Sequence, residues 1–316
     1  MVQHKRSRRA VLAAGVSGVV TAWGAAHAAE SNQAPRPSDS PAGAAPSRVG
    51  PLPPVLKTSI AAYSYRSVLD TPGKPGQMSL FDLVDLAARL QLDAIEPTSY
   101  YFLRDDDEFI LRLKRHTFLA GLEISGTPVR NNFCQPPGPE LEKEIAHVRS
   151  WVDRCVKLGS PAIRVFAGSP SRELSREQVF PHLVAAMKEA AAHAASRGVF
   201  LGLENHGYMT ETADDVLRVV DAVGNDWLGV NLDTGNFQSD PYAQIAKLAP
   251  RAVICQVKIQ VAGKGPKERL PADFPRIAGI LREARYRGYV ALEYEGKDAL
   301  NEIPIYLAKL KQAMGG

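Results

Sequence analysis

Glu204, Asp233, Gln256 and Glu293 each close a run of β-forming residues: LGLENHG (201–207), NLDTGNF (231–237), ICQVKI (254–259) and VALEYEG (290–296). Their separations are 29, 23 and 37 residues, close to the ~30 residues of one strand-plus-helix unit in an eight-fold barrel of ~250 residues. Parallel strands in such a barrel present their C-terminal ends at one face. Four oxygen-bearing side chains at successive ends therefore converge, the arrangement a hard divalent cation requires. Plainer readings exist for each: an arginine-paired Glu204, an Asp233 that caps a turn in Asp-Thr-Gly, a Glu293 paired with Lys258 or Lys297, and a structural Gln256.

Other polar side chains fall at the ends of apolar runs. They are Tyr63, Arg66, Glu96, Asn131, Asn132, Arg164, Asn205, His206, Asn236 and Lys258. Strand alternation puts Gln256, Lys258 and Gln260 on one face, with Val257 and Ile259 towards the helices. Lys258 then points to the barrel axis, where its charge needs an anionic partner or a substrate oxygen. His206, directly after Glu204 and Asn205, has a substrate-facing or supporting role. The other histidines of the mature part lie in helical segments and are assigned none.

The elements that must position these groups alternate along residues 57–316. Expected strands are 59–65, 92–97, 122–129, 161–168, 199–206, 227–235, 252–261 and 289–295. Amphipathic helical spacing is clear over 80–90, 142–158 and 182–198. Eight strands alternating with helices predict an α/β fold, a single-domain (β/α)8 barrel. A doubly wound sheet would want a glycine cluster after its first strand; here that strand runs into Tyr63-Ser64-Tyr65-Arg66.

Residues 1–28 resemble a twin-arginine export signal: Lys5, Arg6, Arg8 and Arg9, a weakly hydrophobic stretch, then Ala26-His27-Ala28 as a cleavage pattern. Residues 29–56, rich in Pro, Ser and Ala, read as a disordered linker. A periplasmic destination without a stable membrane span after cleavage is expected. The formal net charge of +4 in 316 residues gives no electrostatic reason to expect nucleic acid. Three cysteines, Cys134, Cys155 and Cys255, make no disulfide framework.

Taken in order, the YSYR, SYYF, NNFC, RVFAG, ENHG, LDTGNF, QVK and LEYE blocks resemble the xylose isomerase-like TIM-barrel family of sugar isomerases and epimerases, in an exported bacterial branch. The resemblance covers roughly 57–312. It implies one divalent metal ion (Mn2+, Mg2+ or Co2+, with Ca2+ compatible) on Glu204, Asp233, Gln256 and Glu293. Gln256 stands where many relatives have histidine, which argues against zinc. The implied reaction abstracts a proton beside the carbonyl of a small sugar or keto-sugar and passes through an enediolate. Glu204 and Glu293 would exchange the proton, and Lys258 and His206 would stabilise the oxyanion or relay it. Tyr63, Asn132, Arg164, His206 and Lys258 would hold hydroxyls, with Glu96 orienting a partner. Tyr100, Tyr101 and Phe102 are a candidate sugar platform. The same site could serve a 3-keto-glycoside lyase acting by β-elimination, or a non-catalytic sugar-binding barrel. A homo-oligomer is compatible with all of these. The histidine-rich zinc site and basic groove of the family's DNA-repair nucleases are missing from the sequence.

Overall fold

The computed structural model describes residues 52–265 and 267–315. The expected signal (1–28) and most of the expected linker lie outside the described residues. Val55 and Leu56, assigned to that linker, already belong to the first strand.

Ten strands form: β1 (Val55–Ala61), β2 (Ala94–Glu96), β3 (Glu123–Ile124), β4 (Ala162–Val165), β5 (Phe200–Glu204), β6 (Leu228–Asp233), β7 (Ala252–Lys258), β8 (Gln260–Ala262), β9 (Arg269–Pro271) and β10 (Arg287–Glu293). The helices are α1 (Leu80–Arg89), α2 (Asp107–Leu119), α3 (Pro139–Leu158), α4 (Arg176–Arg197), α5 (Ala213–Val223), α6 (Pro241–Leu248), α7 (Phe274–Glu283) and α8 (Ala299–Gly315). Eight strands pair in parallel in the order β3-β2-β1-β10-β7-β6-β5-β4. The remaining edges meet through the segment after β3, where Thr127 N donates to Ala162 O and Val129 N to Arg164 O, both at 3.0 Å. The barrel expected from the alternation is thus the fold observed.

Alternation explains the layering. Leu201 and Leu203, Val230 and Leu232, Cys255 and Val257, and Val290 and Leu292 are buried beneath the helices, while the intervening residues face the axis. Ile254 fills the lower interior against Gly202, where an added Cβ would lie 3.1 Å from Ile254 Cδ1. The helices start on local signals: Ser79–Asp82, Ser175–Gln178 and Thr212–Asp215 form capping boxes on α1, α4 and α5. Each satisfies backbone donors that the first turn leaves without partners.

Three boundaries differ from expectation. The first strand ends at Ala61, and Ala62–Tyr65 make a 3-10 turn that carries Tyr63. The third keeps only two ladder residues because the chain beyond it bonds across the seam. The seventh ends at Lys258, after which β8 and β9 form an antiparallel hairpin. Gln260 is consequently exposed, not aligned on the axis with Gln256 and Lys258. Among the described residues, no helix is long and apolar enough to cross a membrane.

Candidate active site

Strand register assembles the charged groups. Glu293 on β10 lies beside Lys258 on β7, and Asp233 on β6 beside Gln256. Lys258 Nζ is 2.9 Å from Asn236 Oδ1, 3.2 Å from Asp233 Oδ2, 3.3 Å from Glu295 Oε2 and 3.5 Å from Glu293 Oε1. Glu204 turns instead to Arg164, whose Nε lies 2.9 Å from Glu204 Oε2, and accepts from Asn236 Nδ2 at 2.9 Å. Arg164 also donates to Val129 O, and its guanidinium lies 4.0 Å from the centre of the Phe166 ring. Glu204, Asp233, Glu293, Arg164 and Lys258 are all buried, so each charge depends on these partners.

The loop chemistry of LENH and LDTGN holds that cluster in place. The Asn205 amide bonds both the N–H and the carbonyl of Asp233, at 2.8 Å each. Asp233 Oδ1 accepts from Gly235 N, so the turn reading of Asp-Thr-Gly is correct for one oxygen. The other oxygen, Oδ2, is buried and among the described residues is held by the Lys258 ammonium alone, at 3.2 Å. Thr234 Oγ1 accepts from Lys258 N. The Lys258 stem then crosses Gly235, where an added Cβ would come within 2.6 Å of it. Only glycine lets that stem pass.

Below this layer lies an amide network. Gln256 Oε1 accepts from Asn231 Nδ2 at 2.7 Å, and its Nε2 donates to Glu96 Oε1 at 2.6 Å. Burial drives Glu96 up to about 8, against the opposing hydrogen bond from Gln256. Glu96 is therefore a neutral acid at pH 7.

Above the cluster is a cavity of about 100 Å³ lined by Tyr63, Tyr100, Arg164, Phe166, Glu204, His206, Lys258, Glu293 and Glu295. Larger cavities lie elsewhere, among them one of about 830 Å³ beside α7 and α8, but this one holds the convergent charge. Tyr63, Arg164, Glu204, His206, Lys258 and Glu293, all singled out by sequence, meet in it. Asp233 lies behind Lys258. Glu96 and Gln256 lie below the floor and do not line it. Asn132 is taken up by the loop that follows β4, bonding Ser169 and Cys134. Of the candidate platform, Tyr100 lines the cavity, whereas Tyr101 and Phe102 are buried beneath.

Two lining residues escaped the sequence reading, Phe166 and Glu295. Each is two positions beyond a recognised one, Arg164 and Glu293. Period-two alternation extended past the strand end would have found both.

Burial raises Glu204 and Glu293 well above the ordinary carboxylate range, although Arg164 and Lys258 respectively pull the other way. For Lys258, burial opposes the charge, but Asp233, Glu293, Glu295 and Glu204 outweigh it and hold the ammonium above its usual value. His206 is pushed down by desolvation and by Lys258 and Arg164. These effects favour its neutral form, and its ring lies tilted against Phe166 with ring centres 4.7 Å apart.

The xylose isomerase-like TIM barrel family model matches residues 84–312. The chain belongs to that family. Among curated protein sequences, none matches it. Solved structures with the same fold include a D-psicose 3-epimerase determined in the presence of D-fructose, with TM-score 0.68 and 18% identity over 82% of this chain and 100% of that one. The IolI protein with a bound zinc atom aligns with TM-score 0.66 and 16% identity, over 82% and 98% of the two chains. A family protein from Mycobacterium smegmatis in complex with magnesium gives 0.62 and 17%, over 83% and 96%. At these identities the likeness establishes the fold. The structures sharing the fold thus include an epimerase, a probable 3-DHS dehydratase, and proteins determined with magnesium or zinc.

Whether the residues here fit such an ion follows from their charge. With Glu96 protonated, three buried carboxylates (Glu204, Asp233, Glu293) face two buried cations (Arg164, Lys258), an excess of one negative charge. Asp233 Oδ2 faces only the Lys258 ammonium, at 3.2 Å, and Asp233 and Glu293 both aim at one point. Hard oxygen donors with that excess fit a divalent cation. Among the described residues no three His, Cys, Asp or Glu side chains stand together as a ready ligand set. Lys258 Nζ occupies the point of convergence, and the Gln256 amide is bonded elsewhere.

Proposed function

We propose that this protein is a divalent-metal-dependent isomerase or epimerase of a small unphosphorylated sugar or keto-sugar. The observation that carries the reading is the pair Glu204 and Glu293, two buried carboxylates of raised pKa lining one cavity with the Lys258 ammonium beside them. A group that exchanges a proton with carbon works best with a pKa near the working pH, which burial supplies here.

Glu293 takes the proton from the carbon next to the carbonyl, since among the described residues its one ion pair is the loose contact with Lys258 at 3.5 Å. Glu204, braced by Arg164 and Asn236, returns it from the β5 side. Lys258 stabilises the oxygen that gains charge as the enediolate forms. Neutral His206 exchanges a hydroxyl proton, and Tyr63, Tyr100 and Phe166 pack against the apolar face of the sugar. Glu204, Asp233 and Glu293 would hold the ion, which when bound polarises a carbonyl oxygen. Both cations that line the cavity, Arg164 and Lys258, are paired with carboxylates, so neither is left over for a phosphate. Export to the periplasm is part of the proposal and rests on the arginine pair and the Ala-His-Ala site of residues 1–28.

The test is product analysis with unphosphorylated ketohexoses and 3-keto-glycosides in the presence of Mn2+, Mg2+ or Co2+. Formation of an epimer or isomer is expected. Release of the leaving group alone would shift the reading to β-elimination, and no conversion of any sugar would contradict it.

A further inference from the structure

The Lys258 ammonium sits where a metal ion is expected to sit. It touches Asp233, Glu293, Glu295 and Asn236 within 2.9–3.5 Å. Its backbone N–H is tied to Thr234 and its stem is threaded over Gly235, so the position is built rather than incidental. Of its partners, Asp233 and Glu293 are buried, whereas Glu295 is an exposed carboxylate at the cavity mouth. The ammonium touches the inner pair and Glu295 at once, so a short swing of its flexible stem towards Glu295 would leave Asp233 and Glu293 free. Two cations cannot share the inner point, because like charges a few ångströms apart in a buried site repel strongly.

From this geometry we infer that Lys258 is an internal cation that competes with the divalent ion for Asp233 and Glu293. Glu295 is the outer seat that receives the ammonium when the ion enters. The inference rests on the metal-dependent reading above and adds a determinant of metal affinity within the site. Lys258 and Glu295 then act in opposite directions. Lysine lowers affinity by occupying the site, and Glu295 raises it by drawing the lysine away.

The experiment is calorimetric titration of Mn2+ into the chelator-stripped full-length chain and its variants. Lys258→Met is expected to bind Mn2+ at least tenfold more tightly than the unmodified protein. Glu295→Gln is expected to bind several-fold more weakly, and to have no such effect when Lys258→Met is also present, because the outer seat works only through the lysine. Glu295→Gln is a surface change, so this arm does not depend on tolerance of a substitution in the interior. Equal or weaker binding by Lys258→Met, or an undiminished effect of Glu295→Gln in the double variant, would overturn the inference while leaving metal dependence standing. Binding by Lys258→Met but not by the unmodified protein is the extreme form of the expected result. No binding of Mn2+, Mg2+ or Co2+ by any of these proteins would overturn both the inference and the metal-dependent reading.

Discussion

The two halves of the barrel are built differently. On one side β5, β6, β7 and β10 run five to seven residues each in a parallel ladder interrupted by one register shift, at Val230–Asn231. They carry Glu204, Asp233, Gln256, Lys258 and Glu293. On the other side β2, β3 and β4 run three, two and four residues, and the barrel closes through isolated bonds from the 127–133 segment to β4 and the residues that follow it. That side contributes Tyr100 and Phe166 to the cavity, together with Arg164. The division has a physical logic. Buried like charges stay a few ångströms apart only if the backbone beneath them is held by a long ladder, whereas aromatic contacts with a sugar tolerate the looser geometry of loops. Arg164 is the exception, a charge from the short-strand side that reaches across to Glu204.

Substitutions should reflect that division. Glu293→Gln, on the laddered side, is expected to lower turnover about 10²- to 10⁴-fold, the usual worth of a positioned acid–base group. The melting temperature should hardly change. Steady-state kinetics beside thermal denaturation check this, and a Glu293→Gln protein of normal turnover would remove the carboxylate from the reaction. Arg164→Met tests the exception. It strands Glu204 in the interior, and the loss should be about 3–5 kcal/mol, read as a lower urea midpoint with an unchanged denaturant slope.

Glu96 probes the floor beneath the charges. Its folded pKa, about 8, lies above the unfolded value near 4.3. Between these two values the native state holds a proton that the unfolded chain releases. Stability from this group is therefore complete at low pH, falls as pH rises towards about 8, and is flat beyond. Glu96→Gln mimics the protonated acid and should flatten that part of the profile, gaining on the order of 2–4 kcal/mol relative to the unmodified protein at alkaline pH. Urea melts between pH 5 and 9 measure the effect, and parallel profiles for the two proteins would show that Glu96 is ionised in both states. The smallest effect belongs to the seam. The Asn131 amide bonds both the N–H and the carbonyl of Phe166 at 2.8 Å, so Asn131→Ala should cost about 1–2 kcal/mol. Its signature should be a raised KM, through a loosened Phe166, with little change in turnover.

How much of this was legible in the sequence also follows the two halves. The long strands announced themselves as apolar runs ending in charged residues, so Glu204, Asp233, Lys258 and Glu293 were found from type and position. The short strands are defined by hydrogen bonds to both neighbours and not by a hydrophobic period, so 122–129 looked like a full strand and became two ladder residues. Gln256 illustrates a different limit. Its partners, Asn231 and Glu96, are set by strand register, including the shift between Val230 and Asn231, and nothing local to ICQVKI reveals them. The place of Lys258 between Asp233 and Glu293 likewise depends on three strands at once. Its need for an anionic partner was readable, and Glu293 was legible as one such partner, but Asp233 and Glu295 were not.

The account stands or falls on proton exchange at carbon. The most direct measurement is NMR of unphosphorylated ketohexoses and 3-keto-glycosides incubated in D2O with the metal-loaded protein, alongside Glu293→Gln. Deuterium entering at the carbon next to the carbonyl with the unmodified protein, and at a rate at least a hundredfold lower with the variant, is the predicted result. Deuterium entering equally with both proteins, or with neither, would contradict the assignment of Glu293 and Glu204 as a proton-transfer pair.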